Sequence, residues 1–333
     1  MILNINWRDI HMKKTIFIVM TLVVLLLAAC SNSSTASNGS DKADKADKAE
    51  ATKETKEKEL VDASGEKINL DSNPKSFATL SSGEMDILLK LGANVTGRPT
   101  SEHAPKAAKD AEEIGNPHQP NFEKLAKVNP DVLVTTTSFK QHAKNVENQG
   151  TDILYTKSDS VEDIQTTITN LGAILDKTDK AKEINQTIDK KVKDIESHKQ
   201  ADSVKTLLVY GAPGTFLAAL PNSLSGDILE KAGGENIAKD FEKADKFPQY
   251  ANLSPEKIIA QNPEAVMLIT HGDPKAVKDS FEKEMKQNAA WKNLDAVKND
   301  QVTVLPADLF GANPGTKVTD ALDTMQKELA KVK

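Results

Sequence analysis

The chain has 333 residues, and its 49 Asp and Glu side chains outnumber its 43 Lys and Arg side chains, for a formal net charge of -6 at pH 7. A mild, mixed acidity of this kind provides no basic surface for nucleic acid. The single cysteine, Cys30, excludes a disulfide within the chain.

The amino-terminal segment has the features of an export signal. Two lysines precede residues 16–29, an uncharged and mostly apolar stretch that is shorter than the roughly 20 residues a membrane-spanning helix needs. The tetrapeptide Leu-Ala-Ala-Cys that ends at Cys30 resembles the bacterial lipobox, in which the cysteine is lipidated and begins the mature chain. We therefore predict a lipoprotein signal peptide over residues 1–29, with Met1 and Met12 both open as the start of translation. The alternative is an ordinary secretory peptide in which the cysteine has no such role.

The segment that follows has the composition of a tether. Residues 30–58 contain almost no apolar side chain beyond alanine, and Asp-Lys-Ala occurs three times in succession from Asp41. Such a segment cannot bury enough apolar surface to offset its ordering entropy, so we predict that it is solvated and disordered. The folded part then begins near Leu60, and the roughly 270 residues that remain suffice for two lobes.

One stretch occurs twice, since residues 121–134 align with residues 254–267 without a gap. Each copy has a favourable N-cap residue, Asn121 or Ser254, followed by a helical segment with Glu-Lys near its start. The helix is expected to stop before the Asn-Pro step, because the residue before a proline avoids the helical region. The acid and apolar run that come next predict a buried strand. Two copies this far apart are too few for a solenoid and indicate two similar lobes.

The rest of the folded part alternates short apolar runs with helical segments, which predicts an α/β fold. The predicted strands are 75–80, 95–96, 131–136, 152–155, 206–210, 265–270 and 301–305. Between the two series lies a stretch without Gly or Pro in which apolar residues recur at helical spacing, namely Ile184, Ile188, Val192 and Ile195. This pattern predicts one amphipathic helix. We therefore predict two Rossmann-like lobes, 59–176 and 200–333, joined by a single long helix over 177–199, with a ligand cleft between them.

The position of the cleft follows from the general behaviour of open α/β sheets, which bind ligands outside the carboxyl ends of their strands. Ser81 and Glu84 have capping-box spacing, which places Met85 in the first turn of the next helix with its side chain leaning towards the cleft. His271 follows the strand that ends at residue 270. A thioether on one lobe would then face an imidazole on the other, and His with Met is an axial ligand pair for haem iron.

Both residues also have plain structural interpretations. Met85 could fill the core of its lobe, and His271 could be a hydrogen-bonded structural residue. In the repeat, however, the partner of His271 is Ser138, so the fold does not demand an imidazole there. A glycine follows His271 and leaves room for a bulky ligand. Alternative imidazole ligands in loops of the first lobe are His103 and His118.

The composition bears on the ligand. Ferric siderophores are usually held by several guanidinium groups, whereas this chain has one arginine beyond the signal segment, Arg98. Haem needs instead a flat apolar slot, axial ligands and a polar rim for its propionates. The candidates for the apolar walls are Phe216, Leu217, Leu309 and Phe310. The candidates for the rim are Ser82, Arg98, Thr100 and the backbone N–H groups from Gly211 to Thr215.

Several short motifs spread over the mature domain carry a family resemblance. They are Val-Thr-Gly-Arg-Pro-Thr at 95–100, Ile-Gly-Asn-Pro at 114–117, Tyr-Gly-Ala-Pro-Gly-Thr at 210–215, Lys-Ala-Gly-Gly-Glu-Asn at 231–236, His-Gly-Asp-Pro at 271–274 and Leu-Phe-Gly at 309–311. With the lipobox and the two lobes, they resemble the substrate-binding lipoproteins of iron and cobalamin ABC importers. Within that group the chain is most similar to the haem receptors of the iron-regulated surface determinant type.

The resemblance implies a monomeric receptor, lipid-anchored at the outer face of the cell membrane, that is not an enzyme. It would bind haem between Met85 and His271 and deliver it to an ABC permease dimer for iron acquisition. In related receptors a glutamate on each lobe docks on permease arginines, and Glu123 and Glu256 hold these positions in the two copies of the repeat. Their simpler interpretation is that an acid in a first helical turn complements the helix dipole.

Other ligands and activities stay open at this point. The sequence does not separate haem from a ferric siderophore or cobalamin, nor does it tell whether a surface protein hands the ligand over. A surface-anchored hydrolase is a remote alternative, in which Asp273 or Asp308 would work with His271. The sequence contains no Gly-x-Ser-x-Gly elbow, no His-Glu-x-x-His pair and no phosphate-binding Gly-x-x-x-x-Gly-Lys loop.

Overall fold

The computed structural model describes residues 58–70, 73–101, 105–198, 202–212, 214–270, 273–287 and 291–332. The predicted signal peptide, Cys30 and most of the tether lie outside the described residues, as do His103, His271 and Gly272. Over the described ranges, none of the helices has the length and apolar character needed to cross a membrane.

The first lobe is built on a five-stranded parallel sheet. In chain order, its elements are β1 (Lys58–Val61), β2 (Lys67–Leu70), β3 (Phe77–Thr79), α1 (Ser82–Leu91), β4 (Val95–Arg98), β5 (Glu112–Glu113), β6 (Gly115–Asn116), β7 (Gln119–Pro120), α2 (Phe122–Val128), β8 (Val132–Thr136), α3 (Lys144–Glu147), β9 (Asp152–Thr156), α4 (Val161–Ile174) and α5 (Thr178–Ser197). The strand order of the main sheet is β5-β4-β3-β8-β9. Two short antiparallel hairpins, β1-β2 and β6-β7, stand apart from it.

The second lobe is built on a seven-stranded mixed sheet. Its elements are β10 (Val204–Ala212), β11 (Thr215–Ala219), α6 (Leu224–Lys231), β12 (Gly234–Asn236), β13 (Lys243–Ala244), β14 (Phe247–Asn252), α7 (Pro255–Gln261), β15 (Ala265–Thr270), α8 (Pro274–Gln287), α9 (Asp295–Lys298), β16 (Val302–Leu305), α10 (Ala307–Phe310) and α11 (Val318–Leu329). The strands β12, β10, β15 and β16 pair in parallel, whereas β11, β14 and β13 extend the sheet antiparallel beyond β10. The prediction of two α/β lobes is confirmed.

The repeat forms the same unit in both lobes, as predicted. Asn121 accepts the N–H of Lys124 at 3.0 Å, and Ser254 accepts the N–H of Lys257 at 3.4 Å, so both are side-chain N-caps. The two helices end at asparagines in the left-handed conformation, and the strands β8 and β15 follow directly after the proline and the acid. Local sequence therefore determines where these helices begin and end.

The acid of each repeat copy ties its strand to a neighbour. The carboxylate of Asp131 accepts the backbone N–H of Lys75 at 2.6 Å and that of Ser76 at 3.0 Å, just ahead of β3. In the second lobe the carboxylate of Glu264 accepts the N–H of Lys205 at 2.9 Å, within β10. These hydrogen bonds hold β8 beside β3 and β15 beside β10. The loops at the opposite, carboxyl ends of these strands are the ones predicted to line the cleft.

The predicted amphipathic helix is confirmed as α5, which the chain enters after α4 and leaves for β10. Ile188 and Ile195 are fully buried, while Ile184 and Val192 are partly buried against the same core. That core is shared between the lobes. It includes Val134 and Leu154 of the first sheet, Leu208 and Met267 of the second, and side chains of α1, α4, α5, α6 and α11. The lobe boundaries at residues 176 and 199 stay a prediction.

Candidate ligand-binding site

The start of α1 lies directly after β3, at the carboxyl edge of the first sheet. The helix begins at Ser82, so Met85 lies in its first turn. The expected capping box does not form, because Ser81 makes no side-chain cap bond to the helix backbone and its own N–H donates to the hydroxyl of Thr79 at 3.2 Å. The hydroxyl of Ser81 instead donates to the carboxylate of Glu84.

Glu84 is fully buried and links segments that are distant in the chain. One carboxylate oxygen accepts the hydroxyl of Thr156 at 2.8 Å, at the end of β9. The same oxygen accepts the side-chain amide of Asn313 at 3.2 Å, which follows α10 in the second lobe. A buried carboxylate is tolerated only when it is hydrogen-bonded in this way. The local sequence indicates a helix start here but contains no sign of the long-range partners.

Met85 is 4% exposed and packs against Ala108 and Ala111, with Leu89 and Val95 at the edge of this small cluster. The thioether is therefore covered by the segment that follows β4. Coordination of a metal by Met85 requires the side chain to rotate out of this contact, which its three rotatable bonds permit. Ala108 and Ala111 have small side chains, so they hinder this rotation of Met85 little.

The end of β4 carries Arg98, the single arginine of the sequence after Arg8. Arg98 forms an ion pair with Glu113 at 2.7 Å and donates to the carbonyl of Pro99 at 3.3 Å. Its Nε is buried and has no hydrogen-bond partner among the described residues. Thr100 is exposed, and its N–H donates to Gly115 at 2.9 Å. The charge of Arg98 is thus largely neutralised before any ligand binds, while its buried Nε–H is not used by any described residue.

The glycine-containing segment 210–215 lies mostly in strands rather than in an open loop. Gly211 belongs to β10 and faces Phe216 across an antiparallel ladder, and Thr215 begins β11. A Cβ on Gly211 would collide with the carbonyl of Thr215, so the close approach of the two strands needs glycine. Of the predicted wall residues, Phe216 packs edge-on against Phe281 on the far side of the sheet. The turn between the strands is what could offer N–H groups to a ligand.

Phe310 is 4% exposed and belongs to the shared core, as does Leu309. Two aromatic side chains on this face of the second sheet were not among the predicted site residues. Tyr210 and Tyr250 lie with ring centroids 5.1 Å apart and are both half-buried against the shared core. Burial raises the pKa of both phenols, so both are neutral at pH 7. Because Tyr210 and Tyr250 are 40 residues apart in the sequence, no local pattern predicts that their rings lie side by side.

His271, the second predicted ligand, lies outside the described residues, and the residue before it, Thr270, is at the carboxyl end of β15. Thr270 is the last residue of the strand, and its buried hydroxyl has no partner among the described residues. A Cβ on Gly311 would lie 3.4 Å from the carbonyl oxygen of Thr270. The segment 311–316 therefore touches the end of β15 as well as Glu84 at the start of α1.

The remaining predicted residues lie at the surface. Ser82, Glu123, Glu256 and His118 are all exposed. Because α2 and α7 each turn sharply into the strand that follows, each runs antiparallel to it, and its first turn lies towards the edge where that strand ends. The two acids therefore occupy corresponding positions at the carboxyl edges of the two sheets.

Several known proteins are similar to this chain in sequence or structure. The family model described as Periplasmic binding protein matches residues 77–309. A relative named High-affinity heme uptake system protein IsdE, from Staphylococcus aureus, is 33% identical over 240 residues, which is 70% of this chain and 80% of that protein. The crystal structure of S. aureus IsdE complexed with heme matches with a TM-score of 0.68 at 30% identity, over 76% of this chain and 98% of that one.

Other solved structures share the architecture. An ABC transporter substrate-binding protein from Listeria monocytogenes matches with a TM-score of 0.69 at 28% identity, over 78% of this chain and 100% of that one. S. aureus SirA complexed with staphyloferrin B matches with a TM-score of 0.68 over 82% of this chain and 98% of that one. At 23% identity, the second of these is similar in fold alone.

Proposed function

We propose that this chain, which belongs to the periplasmic binding protein family and is a substrate-binding protein of the ABC-importer class, is a receptor for haem. The observation that carries the proposal is its 33% identity to a heme uptake protein over most of both chains. The neutralised arginine supports it further. A siderophore site built on guanidinium groups would have only Arg98, which Glu113 already occupies.

In this proposal Met85 and His271 are the axial ligands of the haem iron. The thioether comes from the first turn of α1 and the imidazole from the residue after β15. Haem supplies the iron and the flat apolar surface, while Tyr210 and Tyr250 offer a neutral aromatic wall on the second lobe. Met85 lies at the carboxyl edge of the first sheet and His271 follows the last residue of β15 in the sequence, and open α/β folds bind their ligands at such edges.

The propionates need donors at the rim of the cleft. We assign this role to Ser82, Thr100, the Arg98 side chain and the turn between Gly211 and Thr215, with Phe310 beneath the slot. The unpartnered Nε of Arg98 is one donor that a carboxylate could use without breaking the ion pair to Glu113.

The partner of this receptor is the permease dimer of an ABC importer. Glu123 and Glu256 would dock on it, one on each lobe, and lipidation of Cys30 would hold the receptor at the outer face of the membrane. The predicted tether from Cys30 to the folded part would let the anchored receptor reach the permease.

The test is a titration of the purified protein with haemin, followed by absorbance. We expect a stoichiometric complex, while a ferric siderophore and cyanocobalamin should neither bind nor compete. His271→Ala should weaken haemin binding at least about tenfold, or about 1.4 kcal/mol, because imidazole is the better donor. Met85→Ala should leave weaker binding with an altered spectrum.

The exposed His118→Ala is the matched control and should bind as the wild type does. Loss of haemin binding in His118→Ala, or wild-type affinity and spectrum in both ligand variants, would refute the assigned ligands. Saturable binding of a siderophore without haemin binding would refute the receptor function.

A further inference from the structure

The first turn of α1 is clamped by the second lobe. Besides the bond from Asn313 to Glu84, the N–H of Thr316 donates to the carboxylate of Asp86 at 2.8 Å. A Cβ on Gly83 would collide with Asn313, so the helix backbone itself is in contact with this segment. We call residues 311–316 the bridging loop.

The bridging loop is itself held in shape from both sides. Asn313 accepts the N–H of Gly315 at 2.9 Å, and Gly315 has a φ of 62°, which few residues other than glycine adopt. At its other end the loop begins at Gly311, beside the carbonyl of Thr270. The loop thus contacts the residue before His271 in one lobe and the residue before Met85 in the other.

Glu84 is the point where these contacts converge on the proposed ligand. It is fully buried, and its carboxylate accepts from Ser81 in its own lobe, from Thr156 at the end of β9 and from Asn313 in the bridging loop. Adjacent residues of a helical turn share a rigid backbone, so a movement of Glu84 moves Met85 as well. A thioether on a flexible side chain can ligate iron well only if its Cα is fixed at the right distance.

We propose that Glu84 is the positioning residue for Met85, holding the start of α1 between the two lobes so that the Cα of Met85 is fixed relative to the bridging loop. The proposal rests on the proposed function, because it takes Met85 as an iron ligand. It adds that the geometry of the first lobe's ligand is set by the bridging loop of the second lobe.

The decisive variant is Glu84→Gln, which keeps the shape but places an amide N–H₂ where one oxygen accepted hydroxyl and amide donors. Outer partners of metal ligands typically affect affinity by about 10- to 100-fold. We expect haemin affinity to fall about tenfold or more and the absorption and magnetic circular dichroism spectra to move towards those of Met85→Ala. Asn313→Ala removes only the bond from the bridging loop and should shift the spectra in the same direction by less.

The matched control is Asp227→Asn, which weakens a different link between the lobes. Asp227 of α6 accepts the N–H of Val161 at the start of α4 at 2.8 Å, away from α1. This variant should lose stability and keep the wild-type haem spectrum. A purely structural role for Glu84 would also change stability without changing the spectrum.

A double variant separates the remaining cases. If Glu84 acts through Met85, adding Glu84→Gln to Met85→Ala should not weaken haemin binding further. Independent, multiplicative losses, or wild-type spectra in both Glu84→Gln and Asn313→Ala, would overturn the proposal. Should Glu84→Gln fail to fold, Asn313→Ala decides alone. Identical spectra for wild type and Met85→Ala would instead show that Met85 is not a ligand, and the proposed site would fail first.

Discussion

Asp131 and Glu264 hold corresponding positions in the two repeat copies, and each accepts backbone N–H groups that belong to the neighbouring strand. For Asp131, the N–H of Lys75 outweighs partial burial and, with Ser76, lowers the pKa of the carboxyl below its usual value. A lowered pKa in the folded state means that the charged form stabilises the fold. The contribution is therefore complete above the pKa of the unfolded chain and is lost as the pH falls through the folded value.

Asp131→Asn tests this residue. We expect a loss of about 1 kcal/mol in the free energy of unfolding at pH 7, since the amide accepts the same N–H groups more weakly. The difference between variant and wild type should shrink as the pH falls below about 3.9, where the carboxyl of the unfolded chain is protonated. Urea unfolding at several pH values measures it.

The exposed Asp110→Asn in the same lobe is the control and should change stability by no more than about 0.5 kcal/mol. A loss in Asp131→Asn that is the same at pH 7 and at pH 3 would show that charge has no part in it.

Features of single residues that depend on near neighbours can be predicted from sequence. The caps Asn121 and Ser254 and the helix start before Met85 all follow from their own segments, and the structure confirms them. Ser81 is expected to cap the backbone, yet its hydroxyl goes to Glu84. The competing partner Asn313 lies 229 residues from Glu84, and no pattern in either segment points to the other.

Among the elements, α5 combines a polar outer surface with an apolar stripe that reaches the shared core. Ile188 and Ile195 are its fully buried contacts, and Lys191 forms an ion pair with Asp323 of α11 at 2.9 Å. The ion pair is partly exposed, so most of the stabilisation must come from the apolar contacts. Helical spacing is enough to predict this element because its pattern runs over many turns.

Ile188→Ala should therefore lower the free energy of unfolding by about 2 to 5 kcal/mol, because it leaves a cavity in a core that both lobes share. Trp291 is the only tryptophan of the sequence after Trp7, so in a protein that starts at residue 58 tryptophan fluorescence reports on the second lobe, while far-ultraviolet circular dichroism reports on both. We expect the two transitions to shift together.

The exposed Gln186→Ala on the same helix should change stability by no more than about 0.5 kcal/mol. Separate transitions for the two probes, with only one of them moved by Ile188→Ala, would contradict a shared core.

The antiparallel strands of the second sheet are the elements that do not follow from sequence patterns. β11 has five residues and β14 has six, and neither shows a long alternating pattern. The Pro-Gly step at 213–214 is a turn signal that could have found the hairpin, and Gly214 does have a φ of 83°. The family resemblance emphasises the glycines of segment 210–215 and so favours a ligand-binding loop there instead.

For the molecule as a whole, the shared core argues for a receptor that keeps its shape. Side chains of both sheets and of the helices α1, α4, α5, α6, α10 and α11 meet in one apolar cluster. Opening a wide hinge between the lobes would expose that cluster to water, at about 25 cal/mol for every Å² of apolar surface. In the proposed function, haem uptake by such a body would rely on movement of side chains and loops, including rotation of Met85 out of its contact with Ala108 and Ala111. A permease would then recognise two acidic side chains, Glu123 and Glu256, on lobes whose relative position changes little.

Glu123 and Glu256 are the two acids that we expect to contact the permease. A single change of Glu123 or Glu256 to Lys should reduce haem uptake by cells only mildly, because one exposed ion pair is worth at most about 1 kcal/mol. The double change places repulsion at two points of the same interface and should abolish uptake. Haemin affinity of the purified double variant should equal that of the wild type.

The control is the double change of Lys124 and Lys257, the next residues of the same helices, to Gln, which should leave uptake near the wild-type level. Uptake that persists in the double glutamate variant, or haemin binding that is lost in it, would leave Glu123 and Glu256 as helix-start residues with no docking role.

The clamp at α1 also decides which parts of this chain can be exchanged with a relative. A chimera cut within α5 would join one parent's residue 83 to the other parent's residue 313. Any side chain larger than glycine at position 83 would collide with Asn313, and position 315 needs a positive φ. Positions 83, 84 and 86 would therefore have to be transplanted together with residues 311–316, about 230 positions away. In evolution, these two segments would therefore have to change together, although one lies in the first lobe and the other in the second.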